Sequence, residues 1–129
     1  MSIYPALRYD DPNAALDWLT KAFGFTEVSV FRDDDGVVGH AVLRLGTGMV
    51  LLSGPRPAGW AGGGGADPLA SPISIYVAVD DPDAHHAVAA AAGATIIDAP
   101  RDMDYGSREY SARDPEGTLW SFGTYLLDS

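Results

Sequence analysis

The chain contains nearly the same segment twice. Asp10-Asp11-Pro12-Asn13-Ala14 recurs as Asp80-Asp81-Pro82-Asp83-Ala84, 70 positions later, each copy preceded by an apolar run and followed by an alanine-rich stretch. Gly24-Phe25-Thr26 is matched by Gly93-Ala94-Thr95 at an offset of 69, and Gly48-Met49-Val50-Leu51 by Gly117-Thr118-Leu119-Trp120 at that same offset. Asp-Pro alone is a common turn opener, but three landmarks holding nearly one spacing indicate two copies of one folding unit. Units of roughly 60 residues are marginal alone, so two of them are expected to bury their apolar faces together and to share a concavity.

Each copy reads as a strand, a helix and three strands. In the first, Ile3 to Tyr9 is a strand, Asp10 or Asp11 caps a helix with Pro12 in its first turn, and Ala14, Ala15, Trp18, Leu19, Ala22 and Phe23 recur at helical spacing until Gly24 stops it. Thr26 to Phe31, Val37 to Leu45 and Met49 to Ser53 follow as strands. In the second copy, Ile73 to Val79 is the strand and Asp81 to Ala92 the helix, and Thr95 to Ile97, Ser107 to Arg113 and Thr118 to Gly123 are the remaining strands. The expected organisation is a first module over 1–53, a linker over 54–70 carrying Pro55, Pro57, Trp60 and four consecutive glycines, and a second module over 71–129.

Strand parity sorts side chains into a row toward the helices and a row toward the concavity. Tyr4, Ala6 and Arg8, then His40, Val42 and Arg44, then Ser74, Tyr76 and Ala78, and finally Leu119 and Ser121 face inward. Trp120 and Phe122 fall on the core side.

Composition closes several routes. A formal charge of −10 argues against nucleic acid and anionic membranes as partners, because both are bound through Lys and Arg. It serves solubility and favours neutral or cationic ligands. With no cysteine there is neither a disulfide framework nor a thiolate site. No apolar stretch approaches the length of a membrane span and no basic-then-apolar leader is expected, which points to the cytoplasm.

Paired modules, an Asp cap after the first strand of each, and the closing hairpin Arg113-Asp114-Pro115-Glu116-Gly117-Thr118-Leu119-Trp120 resemble the vicinal oxygen chelate superfamily, which includes glyoxalase I, extradiol dioxygenases and bleomycin-resistance proteins. The resemblance implies an α+β fold in which two tandem βαβββ modules form an open, cupped, eight-stranded mixed sheet, and it implies a homodimer. Its metal-dependent members place ligands in the first and last strands of each half. Carried over by position, these fall at Ser74 and Ser121, with Tyr4 and Leu52 as repeat mates, and none of the four is a metal-binding residue type. The expectation is therefore a metal-free, cofactor-free member of the bleomycin-resistance-like branch.

The remaining inventory is aromatic and hydrogen-bonding. Tyr4, His40, Arg44, Leu52, Ser74, Tyr76 and Ser121 are expected to line the ligand site, with Tyr105 and Arg108 from the run 104–110 and Trp60 closing over it from the linker. Arg108 either binds a ligand's carbonyl or carboxylate or pairs with Glu109 or Asp104. Adjacent His85 and His86 point about 100° apart on a helix and are expected to be solvated. Tyr110 is read as packing. The function expected is sequestration of an organic molecule, cationic aromatics included, without chemistry. The alternatives are a metal-independent lyase, isomerase or hydrolase using His40, Tyr4 or Glu109, and a non-catalytic assembly partner.

Overall fold

The computed structural model describes residues 3–55 and 73–126. The chain divides into two compact units, Met1–Ala66 and Asp67–Ser129. The first runs β1 (Ala6–Arg8), α1 (Pro12–Trp18), a turn of π-helix (Leu19–Phe23), β2 (Thr26–Arg32), β3 (Val38–Leu45) and β4 (Gly48–Ser53). The second runs β5 (Ile75–Ala78), α2 (Pro82–Ala91), β6 (Thr95–Asp102), β7 (Arg108–Arg113) and β8 (Leu119–Gly123). Each unit holds one four-stranded mixed sheet, in the orders β1-β4-β3-β2 and β5-β8-β7-β6. Among the described residues the β1–β4 and β5–β8 pairs are parallel and the hairpin-connected pairs are antiparallel. The linker expected over 54–70, Trp60 included, lies outside the described residues from position 56 onward.

The repeated Asp-Asp-Pro does the same work in both units. Asp11 accepts a hydrogen bond from Ala14 N and Asp81 from Ala84 N, each at 3.1 Å, and Pro12 and Pro82 occupy the first helical position, where no N–H is needed. The helix ends differ. In the first unit the last turn is a π-helix closed by Gly24 at φ 85°, whereas α2 stops at Ala91 with Gly93 at φ 93°. A π turn is a one-residue insertion, and it moves the repeat offset from 70 at the caps to 69 at Gly24 and Gly93.

Register then carries the offset back. Ala41 pairs with Leu52, and Tyr110 with Phe122, so β3 and β7 correspond at 69 while β4 and β8 correspond at 70. The extra residue lies in the β7–β8 hairpin. There buried Asp114 accepts from Glu116 N and Thr118 N and also from the Trp120 indole, each at 3.1 Å. The counterpart of Ser121 is therefore Leu51, and that of Leu52 is Phe122. This corrects the placement of Leu52 in a ligand site. Leu52 is fully buried on the helix side of its sheet, with Ala41, Leu43 and Val50.

A small core packs in each unit. In the first it comprises Tyr9, Leu16, Leu19, Phe23, Leu43 and Leu52. In the second, Trp120, Phe122 and Tyr110 stack in succession, with rings 6.4 and 4.9 Å apart, under α2. His85 completes the stack at 4.3 Å from Phe122 and its Nδ1 is hydrogen-bonded to the Tyr110 hydroxyl. The two histidines are thus half-buried against Tyr110 rather than solvated, because α2 has small residues elsewhere and lays its bulk on the sheet.

Candidate functional site

The face of the second sheet opposite α2 is built in two rows fixed by strand register. One row runs Tyr76, Ser121, Ser111, Asp98, and the next runs Ala78, Gly123, Glu109, Arg101. A groove of about 200 Å³ opens over them, lined by Asp98, Arg101, Met103, Glu109, Tyr110, Ser111 and Ser121. Ser111 donates to Asp98 Oδ2 at 3.0 Å, and Tyr105 donates to Glu109 Oε1 at 2.8 Å. The groove therefore presents two carboxylates, each with acceptor capacity left over, against one guanidinium.

Around Glu109 the packing is tight. A Cβ on Gly123 would stand 2.5 Å from Glu109 Cγ and 2.7 Å from the Tyr76 hydroxyl, so both side chains lie directly on bare backbone. Tyr76 donates to Tyr125 O at 2.9 Å. Burial pushes the Tyr76 phenol above its ordinary pKa, and the Glu109 charge adds to the shift. The Tyr105 phenol is raised chiefly by its hydrogen bond to Glu109. Both phenols thus remain protonated donors at neutral pH.

The corresponding face of the first sheet is different in kind. Its rows are Ala6, Leu51, Val42, Ser29 and Arg8, Ser53, His40, Phe31, followed by Met49, Arg44 and Thr26. It is apolar at the centre, flanked by cations, and holds no carboxylate in these rows. The Phe31 and His40 rings are 6.2 Å apart.

The expected site residues therefore divide. Tyr76, Tyr105 and Ser121 belong to the groove side of the second sheet, and Ser74 lies exposed just before β5. Tyr4, His40 and Arg44 are exposed in the first unit. Leu52 is core. Arg108 is committed elsewhere: Nε and Nη2 donate to the two Asp83 oxygens at 2.6 and 2.9 Å, and Nη1 to Asp102 at 3.3 Å. Asn13, which matches Asp83, makes the same tie in the first unit by bonding Gly36 O and Val38 N. In both units, then, the second helical residue pins the helix to the neighbouring hairpin, and Arg108 supplies the ionic version.

Asp98, Arg101, Ser111 and Met103 are groove residues that sequence reasoning missed. Extending β6 to Asp102 puts the first two there, and that extension is hidden by Pro100 and by bulges between Ile96 and Arg101. The positions that metal-dependent relatives would use, Tyr4, Leu51, Ser74 and Ser121, offer hydroxyls and an alkyl chain, which do not fit a divalent-metal centre. Among the described residues no three His, Cys, Asp or Glu side chains are grouped to hold an ion.

Two βαβββ units in tandem, each carrying one four-stranded mixed sheet, are the glyoxalase-type scaffold. The profile of the Glyoxalase/Bleomycin resistance protein/Dioxygenase superfamily matches residues 3–122, and the chain belongs to that superfamily. It is 34% identical over 125 residues to the uncharacterized protein Mb0911c of Mycobacterium bovis, covering 95% of this chain and 82% of that one. Its fold is similar to that of TioX from Micromonospora sp. ML1, with a TM-score of 0.76 and 32% identity, covering 100% of this chain and 99% of the other. It is also similar in fold to a bleomycin-binding protein complexed with bleomycin, with a TM-score of 0.69 and 24% identity over 98% and 99% of the two chains.

Proposed function

We propose that this protein captures a small organic molecule reversibly and without a metal. The observation that carries the reading is the groove on the second sheet. It offers serine hydroxyls and carboxylate acceptors beside half-exposed tyrosines, and among the described residues no group of side chains is placed to hold an ion. Membership of a superfamily that includes bleomycin-resistance proteins supports it. The form we propose is a cytoplasmic homodimer. Open sheet edges at β2 and β6, and exposed Phe31 and Val28 on β2, favour a second copy as cover.

The test is to release whatever organic molecule accompanies the purified protein, identify it by mass spectrometry, and add it back. Capture predicts saturable, reversible binding with the molecule recovered unchanged. Conversion to a product contradicts capture and favours a metal-independent enzyme.

A further inference from the structure

The most built part of the second unit is one that the groove alone does not explain. Tyr76, Tyr105 and Tyr125 are half-exposed and joined to one another beside Glu109: Tyr105 bonds its carboxylate, Tyr76 meets it over Gly123, and Tyr125 contacts both tyrosines. The Tyr105 and Tyr125 rings meet edge to face, at 85° with centroids 6.0 Å apart, which fixes one ring against the other. Each member is fixed. Tyr105 is held by its bond to Glu109, Tyr76 by its bond to Tyr125 O, and Tyr125 by its N–H bond to the Ser107 hydroxyl at 3.2 Å. Gly123 supplies the floor, since any side chain there would collide with Glu109 and Tyr76.

Exposed aromatic rings are costly to keep in water, and a joined group of three beside an anion has a specific chemical use. Ring faces attract cations through the aromatic quadrupole, and an adjacent carboxylate adds full charge attraction while the phenol donors keep it oriented. We infer that Tyr76, Tyr105, Tyr125 and Glu109 form a subsite for an organic cation, an alkylammonium group, at the Glu109 end of the groove. This rests on the capture reading and specifies which chemical group of the captured molecule is recognised.

Choline and its neutral carbon isostere, 3,3-dimethylbutan-1-ol, test the inference by NMR titration of the full chain. Choline is expected to shift the backbone amides of Glu109, Gly123 and Tyr125 saturably and to bind about tenfold more tightly than the alcohol. Tyr105→Leu and Glu109→Gln should each weaken choline about fivefold or more. Tyr105→Phe, which keeps the ring, should weaken it less than Tyr105→Leu. Tyr105 is exposed, so the Leu variant folds, and its amide spectrum verifies this. Equal binding of both probes at these residues overturns the cation assignment while leaving the groove a binding site. Absence of any saturable shift overturns it too, and capture is then judged by the released-ligand experiment alone.

Discussion

Glu109 lies across Gly123 so closely that a methyl group on the glycine would fall 2.5 Å from Glu109 Cγ. The backbone there needs no left-handed conformation, so the requirement for glycine is one of space. Gly123→Ala must displace Glu109 and Tyr76, and overpacking of this kind costs typically about 1–3 kcal/mol. Thermal or urea denaturation should show that loss, together with shifted resonances for Tyr76 and Tyr105. A neutral effect would mean the Glu109 side chain swings away freely.

Leu52 and Ser121 separate core from groove. Leu52→Ala should cost about 2–5 kcal/mol, as for a fully buried leucine, since Leu52 is completely inaccessible. Ser121→Ala should stay within about 0.5 kcal/mol of the parent. Denaturant midpoints check both, and a tolerant Leu52 would contradict the register.

The Arg108 tie has a pH signature. Its hydrogen bonds hold the Asp83 carboxyl below the ordinary value of 3.8 in the folded state. The folded protein therefore binds that proton less readily than the unfolded chain, and the stabilisation is fully present above the unfolded pKa and lost as pH falls through the folded one. Arg108→Gln should be less stable than the parent at pH 7, with the gap narrowing below about pH 4. Urea melts across that range read it, and a gap that widens in acid would contradict the tie.

Salt provides a further check on the acidic groove. Debye screening shortens from about 10 Å at 0.1 M to about 3 Å at 1 M, so choline should bind more weakly as sodium chloride rises. Salt-independent affinity in calorimetry would confine the net charge of −10 to a solubility role.

Much of this architecture is written in local chemistry. Asp11-Pro12 and Asp81-Pro82 announce helix starts through capping that depends only on neighbouring residues, and the apolar rows of β3 and β8 announce their core face by parity. What fails is what depends on partners distant in sequence. The π turn at Leu19–Phe23 and the longer β7–β8 hairpin each shift the repeat by one residue. A one-residue slip moves a side chain to the other face, which is why a constant spacing of 69 pairs Ser121 with Leu52 while the strand register pairs it with Leu51. Arg108 shows the same limit: its neighbours Glu109 and Asp104 suggested a pairing that Asp83, 25 residues away, takes instead.

The central claim is capture without a metal. A native mass spectrum of the protein as isolated, recorded before and after chelator treatment, tests it in one measurement. The account predicts a non-covalent organic adduct that survives chelation and no stoichiometric metal mass. One zinc, iron, nickel or manganese per chain, with the adduct lost on chelation, would contradict it.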